Sequence, residues 1–323
     1  MPKKSPKQKF ANFYGVILAA GVGSRIQPLS FNIPKPLLPV CNKPIIQYQI
    51  EYMKRIGISK FRIVVHHLKE KLIEHLGDGS SLGVEIKFIE QKQPLGIAHA
   101  VAALEQHVDA PFFLFLGDIF IVAKDLNQIV EQYASNKAAA FLAVKKESDP
   151  SYIRRNFAVI LNEYGLVKRV IEKPRYVNTK LKGCGVYFFD LSIFDAVRRT
   201  PRTALRDEYE ITSAIQILID DGYPVYTAEV IEWDMNVTVP RDLLLCNFEQ
   251  LRKMGQRFVI GDRSRIHAGA KINNSVIGND VQIRHPIAIE NSLILDHSIV
   301  TSKSAVRDSI ITPDQVHKIA GEI

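Results

Sequence analysis

The chain has 323 residues, 46% of them apolar, which is the composition of a folded globular protein and excludes a disordered one. Net charge is +8, but Lys3, Lys4, Lys7 and Lys9 supply four of those charges, so residues 1–12 read as a flexible basic tail and not as a nucleic-acid or membrane anchor. That tail has no apolar signal segment, no run near about 18 apolar residues exists, and Cys41, Cys184 and Cys246 lack metal spacing; the expectation is a reduced, cytoplasmic protein that binds neither nucleic acid nor membrane.

Val16–Ala20 is short enough for a buried strand, and it breaks at once into Gly21-Val22-Gly23-Ser24-Arg25. A strand ending in a glycine-rich turn brings backbone N–H groups to one point, a ready site for phosphate oxygens, and Arg25 adds a five-donor cation. Taken alone, the Gly-x-Gly is equally an ordinary strand-to-helix turn. A dinucleotide fingerprint needs glycine where Ile26 stands, and a P-loop needs a Gly-Lys-Ser/Thr that is absent. Pro34-Lys35-Pro36 then sets a second cation in a stiff, extended segment.

Helical spacing over Pro44–Ile56 stops at Gly57, and Phe61–Val65 reads as a buried strand. The alternation continues with helix Lys69–Leu76, strand Val84–Ile89, helix Ile97–His107, strand Phe112–Leu116, helix Leu126–Asn136 and strand Ala138–Val144. This order predicts right-handed βαβ units in a mostly parallel sheet, whose ligands gather beyond the carboxyl ends of the strands. Gly21–Arg25, Gln91 and Asp118 all fall there. Shorter strands at Phe157–Leu161, Leu166–Ile171 and Gly185–Phe189 predict an antiparallel insertion covering that edge. Helix Glu210–Asp220, strand Val225–Val230 and helix Pro240–Lys253 complete a domain at 13–254.

From Gly255 onward isoleucine or valine recurs every five or six residues. Ile272-Asn-Asn-Ser-Val-Ile, Ile289-Glu-Asn-Ser-Leu-Ile and Val306-Arg-Asp-Ser-Ile-Ile repeat at a constant interval, one turn of a solenoid. The spacing resembles the left-handed parallel β-helix of hexapeptide-repeat proteins. The fold class is therefore α/β: a Rossmann-like mixed sheet, then a short left-handed β-helix at 255–323. About three coils are near the minimum for such a stack, so packing on the first domain or on a second copy is expected, giving a homo-oligomer.

Taken together, Gly21, Gly23, Arg25, Pro28, Pro34 and Lys35 after a first strand resemble the opening motif of the sugar-1-phosphate nucleotidyltransferases, G-x-G-x-R-x-x-P followed by P-K. The match is most similar to glucose-1-phosphate thymidylyltransferases of the longer type, and it covers about residues 14–254. The resemblance implies that Ala20, Gly21, Gly23, Ser24, Arg25 and Lys35 hold the triphosphate. It makes Gln91 and Gly96, in Glu90-Gln91-Lys92-Gln93-Pro94-Leu95-Gly96, the base-reading pair. One donor and one acceptor on Gln91 suit thymine or uracil ahead of a purine.

Phe112–Leu116 delivers Gly117-Asp118, in which the resemblance places a magnesium ligand; by itself Asp118 is equally a cap for the next segment. The second family ligand is matched by Asn236, anchored on Pro240 and Asp242, where most relatives have aspartate and uridylyltransferases have asparagine. Asp234 stands nearby as an alternative carboxylate. Magnesium takes hard oxygen ligands, usually one or two of them from protein. Glu172-Lys173-Pro174 resembles the sugar-phosphate motif, with Lys173 on the phosphate and Glu172 on sugar hydroxyls, joined by Gly185 and Thr212. Ala158, in Phe-Ala-Val, stands where relatives have glycine and adds a methyl group towards the sugar. The histidines His66, His67, His99, His267, His285 and His297 form no spaced set and read as structural or exposed.

The implied reaction is attack by a sugar 1-phosphate oxygen on the α-phosphorus of a nucleoside triphosphate, with Mg2+ as cofactor and Arg25, Lys35, Asp118 and Lys173 as the catalytic set. Alternatives are the same reaction with a purine triphosphate or another sugar, a catalytically silent regulatory subunit, and an acyltransferase in the repeat region.

Overall fold

The computed structural model describes residues 13–204 and 207–319; the tail expected at 1–12 lies outside them. The chain opens with β1 (Tyr14–Ala19), a hairpin of β2 (Pro39–Val40) and β3 (Lys43–Pro44), α1 (Ile45–Arg55), β4 (Lys60–Val65), α2 (Lys69–Leu76) and β5 (Glu85–Glu90). There follow α3 (Ile97–Ala102), β6 (Phe112–Leu116), β7 (Ile119–Ala123), α4 (Asn127–Asn136), β8 (Ala140–Lys146) and α5 (Pro150–Arg155). Next come β9 (Phe157–Leu161), β10 (Val167–Glu172), β11 (Leu181–Phe189), α6 (Ile193–Arg199), α7 (Ile211–Asp220), β12 (Val225–Ala228), β13 (Ile231–Asn236) and α8 (Pro240–Met254).

Two compact units divide the described chain, and they do not follow chain order. One holds the residues up to Val22 together with Tyr48–Asp234; the other holds Gly23–Gln47 and the residues from Met235. In the first unit the main sheet runs β10-β9-β11-β6-β1-β4-β5, with β8 on β11 and β12 on β8. Its centre is parallel: β1 pairs in parallel with both β4 and β6. Strands buried on both faces read as continuous apolar runs, and Val16, Ile17, Ile63, Val64 and Phe112–Leu114 are all wholly buried. The Rossmann-like, mixed α/β architecture expected from the alternating pattern is the one present.

Four local readings are corrected. The expected helix Ile97–His107 ends at Ala102, because Leu104 and His107 bond back three residues to Val101 and Leu104, tightening the chain into turns. The antiparallel insertion is no separate cover: β9 and β10 extend the main sheet. Strand β11 is longer than expected, nine residues, and a register shift between Gly183 and Tyr187 lets it pair with β6 and β8 and also meet β9 at Ala158. Finally, the expected strand Val225–Val230 stops at Ala228, and a second strand, β13, follows and pairs with β7.

In the second unit the repeat is visible as register. Strands β14 (Phe258–Ile260), β15 (Arg265–Ile266), β16 (Lys271–Asn273), β17 (Ser275–Ile277), β18 (Gln282–Ile283), β19 (Ala288–Glu290), β20 (Leu293–Ile294), β21 (Ile299–Val300), β22 (Val306–Arg307), β23 (Ser309–Ile311) and β24 (Val316–Lys318) form three small sheets. Within them Ile272 faces Ile289 and Ile289 faces Val306, in parallel, as a β-helix requires. Ile277, Ile283, Ile289, Ile294 and Val300 pack inside. The Asn-Ser pairs of the repeat stack as ladders: Asn274 Nδ2 donates to Asn291 Oδ1 at 2.8 Å and Asn291 Nδ2 to Asp308 Oδ1 at 3.0 Å. Buried Ser275 and Ser292 accept the backbone N–H of Ser292 and Ser309, at 3.0 and 3.3 Å.

Ser292→Ala removes the acceptor of the Ser309 N–H, and stranding a buried donor costs about 1–3 kcal/mol. Hydrogen exchange at Ser309 should quicken relative to Val300; equal rates in the variant and the parent would show the ladder to be idle.

Candidate functional site

The sequence-selected residues fall in both units, and each group is described within its own. In the second unit, Gly23 lies in the left-handed region (φ 70°) and opens a short 3-10 turn, Ser24–Ile26, on which Ser24 and Arg25 are exposed. A Cβ on Gly23 would stand 2.9–3.3 Å from the Cε, Cγ and Cδ atoms of Lys35. The lysine stem therefore lies across the glycine, and Lys35 is only 8% exposed. Ser30 Oγ and the Ile26 N–H both donate to Gly23 O, at 2.8 and 3.2 Å, which fixes the turn. Glycine is needed here twice, for its φ and for the room it leaves the cation.

Asn236 closes β13. Its Oδ1 is buried and has no hydrogen-bond partner among the described residues. An amide oxygen left without a donor has the chemistry to serve as an oxygen ligand for a hard cation. The neighbouring carboxylate offers no alternative: Lys182 Nζ lies 2.8 and 2.7 Å from the two oxygens of Asp234, both side chains are all but fully buried, and Asp234 is committed to that pair.

In the first unit, β1 runs out at Ala20, which is buried, and Gly21 is exposed beyond it. Strand β6 ends beside it: the Gly117 N–H donates to Leu18 O at 2.9 Å, and Asp118 follows, half-buried, in the turn to β7. Gly185 packs against this turn. Its φ is 64°, and a Cβ there would strike Ile119 Cδ1 at 2.1 Å and meet Leu116 Cδ1 at 3.1 Å, so the β11 backbone approaches the Asp118 turn as only glycine allows.

Gln91, 3% exposed, follows β5, and its N–H donates to Val65 O at 2.9 Å. Its Nε2 lies 2.9 Å from His99 Nδ1 and 3.4 Å from Gly96 O. An amide nitrogen only donates, so His99 accepts at Nδ1 and carries its proton on Nε2. Both Gln91 amide hydrogens are thus engaged, and the side chain presents its acceptor, Oε1. Tyr209 stitches the loop in place: its N–H donates to Leu95 O and its carbonyl accepts from Ala98, both at 2.8 Å, while its ring stacks on His99. The sequence reading left His99 as structural and passed over Tyr209; the helical register of His99 in an otherwise apolar stretch is the only signal that pointed to it.

The sugar-phosphate residues also meet. Thr212 Oγ1 donates to Glu172 Oε2 at 3.4 Å, and Lys173 Nζ stands 4.0 Å from Glu172 Oε1. Lys173 has φ 40°, held by its N–H bond to Asn156 O at 2.8 Å. Tyr187, buried between Phe157 and Phe189, has its phenol pushed well above the usual value, first by burial and then by the charges of Glu172, Cys184 and Glu210. The phenol stays protonated. Ala158 is 1% exposed, opposite Ile171 and Lys182 in the sheet, and offers almost no surface.

The family model described as nucleotidyl transferase matches residues 14–235. The chain belongs to that family, the sugar-1-phosphate nucleotidyltransferases. It is 35% identical to the UTP–glucose-1-phosphate uridylyltransferase AglF of Haloferax volcanii, over 70% of this chain and 92% of that protein. To a glucose-1-phosphate thymidylyltransferase of Streptomyces antibioticus it is 33% identical, over 81% of this chain and 75% of the other. The fold of a UDP-glucose pyrophosphorylase solved with UDP-glucose superimposes with a TM-score of 0.65 at 22% identity, covering 75% of this chain and 99% of that one. Among the described residues no helix is long and apolar enough to cross a membrane.

Gly23→Ala forces a left-handed alanine against the Lys35 stem, a strain of about 1–3 kcal/mol. Steady-state kinetics should show KM for the triphosphate raised; an unchanged KM would separate Lys35 from triphosphate binding. Lys182→Met leaves Asp234 buried and unpaired, which costs about 3–5 kcal/mol. Urea unfolding should show that loss, and Lys182→Met with Asp234→Leu should recover most of it; no recovery would mean that packing, and not charge, is lost.

Proposed function

We propose that this chain joins UTP or dTTP to a sugar 1-phosphate, with glucose 1-phosphate the first candidate, releasing pyrophosphate and forming a nucleotide-sugar. The observation that carries the nucleotide choice is the Gln91 amide. Its hydrogens are engaged by His99 and Gly96, so an acceptor faces the base, and the N3–H of uracil or thymine is the donor that complements it. The named activities of the uridylyl- and thymidylyltransferase relatives agree with that choice.

In the reaction an oxygen of the sugar phosphate forms a bond to the α-phosphorus, the bond from that phosphorus to the bridging oxygen breaks, and pyrophosphate leaves with the electron pair. The nucleophile is an anion at neutral pH, so no general base is required. The residues' task is to bring two polyanions together and to hold charge on the transferred group. Arg25 with Ser24 and the backbone of Ala20, Gly21 and Gly23 takes the leaving pyrophosphate, Lys35 lies along the triphosphate, and Lys173 grips the incoming phosphate. Glu172, Gly185 and Thr212 face the sugar, with Ala158 beneath them, and Gly96 holds the base beside Gln91. Asp118 and Asn236 would hold Mg2+, which supplies charge neutralisation at the α-phosphate; the unpartnered Oδ1 of Asn236 supports this set.

We further propose the chain-order division into a tail at 1–12, a nucleotidyltransferase domain at 13–254 and a left-handed β-helix at 255–323, a homo-oligomer and a cytoplasmic site of action.

Pyrophosphate release across UTP, dTTP, CTP, ATP and GTP, with several sugar 1-phosphates and with and without Mg2+, tests the reading. Turnover should be greatest with UTP or dTTP and glucose 1-phosphate. Arg25→Ala and Lys173→Ala should each lose about 100- to 1000-fold in kcat. Turnover confined to purine triphosphates would overturn the reading of Gln91, and no turnover at all would make the chain a silent binding partner.

A further inference from the structure

Gln49 lies on α1 and is 1% exposed. Its Nε2 donates to two carbonyls, Leu116 O and Ile119 O, both at 2.8 Å. These two residues flank Gly117 and Asp118, so one amide group ties both ends of the turn that carries the carboxylate. The bonds also fix the orientation of the amide: an oxygen in the place of Nε2 would face two carbonyl oxygens. The consequence is visible on the other side of the group, where Gln49 Oε1 is buried with no hydrogen-bond partner among the described residues. A buried acceptor without a partner destabilises a fold, so the clamp is retained against a cost.

The neighbours of Gln49 show what the clamp is set against. Tyr48 packs its ring edge-on to Phe120, with centroids 5.1 Å apart, and Tyr52 Oη accepts the Ala123 N–H at 3.2 Å. Three residues on one face of α1 therefore brace β7 along its length, and Gln49 also reaches across the turn to β6. Gly185 presses on the same two residues, Leu116 and Ile119, from β11. The turn is held from two sides, and Asp118 is the one ionisable side chain in it.

We infer that Gln49 is a positioning residue for Asp118: by bonding the carbonyls on both sides of the turn it holds the carboxylate in the orientation that receives the divalent cation. The inference rests on the proposed role of Asp118. Outer partners that orient a metal ligand are worth 10- to 100-fold in metal affinity or activity. They leave the binding of the rest of the substrate alone.

The test uses the whole chain and Gln49→Met, which keeps volume and removes both donors. Gln49→Leu is the second variant if the first does not fold, being apolar, of similar size and without the two N–H groups. Tyr52→Phe, which breaks the α1 bond at the far end of β7, is the structural control. Mn2+ binding is read from the electron paramagnetic resonance of unbound Mn2+, in the presence of an α,β-methylene nucleoside triphosphate, beside kcat and KM. The Gln49 variant should weaken Mn2+ binding about tenfold and lower kcat 10- to 100-fold with KM for the sugar phosphate unchanged. Tyr52→Phe should lose thermal stability and keep both Mn2+ binding and kcat within about twofold. Equal losses in the two variants, or Mn2+ binding unchanged without the Gln49 donors, would overturn the inference. Asp118→Asn separates the premise from it: retained Mn2+ affinity there would remove Asp118 as a ligand and the positioning role with it.

Discussion

Strand β1 pairs in parallel with β4 on one side and β6 on the other, and β4 passes the same direction to β5. Parallel strands must all end at one edge, so Ala20 and Gly21, Gln91 and Asp118 arrive there without any sequence proximity. Strands β1, β4 and β6 are buried along almost their whole length, whereas β5, at the end of the sheet, alternates buried Ile86 and Ile89 with exposed Glu85, Lys87 and Glu90. The bulged β11 then turns antiparallel on β6, carrying Gly185 to the Asp118 turn and, at its other end, Lys182 to Asp234.

Most polar groups buried near that edge are satisfied in pairs that cost more to break than to keep. Lys182 holds Asp234, His99 holds Gln91, and Thr212 holds Glu172. Two buried oxygens have no partner among the described residues, Asn236 Oδ1 in the second unit and Gln49 Oε1 in the first. The first has the chemistry of an open ligand; the second is the far side of an amide whose nitrogen is fully used. A buried polar group without a partner is where folding stability has yielded to something else.

Much of this was legible in the sequence. The positions of Gln91 and Asp118 followed from where apolar runs end, and the coil register followed from the Asn-Ser repeat, because both are local patterns with a fixed period. The antiparallel strands β9 and β10 were legible, but the longer β11 and their joining to the main sheet were not, since a register shift between Gly183 and Tyr187 leaves no periodic trace. Partners far apart in sequence were equally hidden. Nothing near Asp234 announces Lys182, and nothing near Asp118 announces Gln49; each bond is decided by which elements the sheet brings side by side. In the sequence Asp234 stands as an alternative to Asn236, and its pairing with Lys182 removes that alternative.

The same reasoning explains why Gly23–Gln47 clusters with the residues from Met235 and not with the strand it follows. The β2–β3 turn places Cys41 and Asn42 in the left-handed region, and the turn is held from α8: the Cys41 N–H donates to Asn247 Oδ1 at 2.8 Å, while Asn247 Nδ2 donates to Pro39 O at 3.2 Å and Leu243 O at 2.9 Å. Asn247 is wholly buried and all its bonds are made inside the unit. From the same turn Asn42 Nδ2 donates to Ile277 O, on β17 of the repeat strands, at 2.8 Å. Leu38, at the foot of the hairpin, bonds back to Lys35 O at 3.0 Å. A continuous path of hydrogen-bonded backbone therefore runs from the Lys35 cation through the hairpin to α8 and the first coils. Burial has driven the Cys41 thiol up to about 12, so at neutral pH it stays an uncharged thiol and adds no charge to that path. Hydrogen bonds thus link the Lys35 segment, the hairpin, α8 and the first repeat strands within one unit.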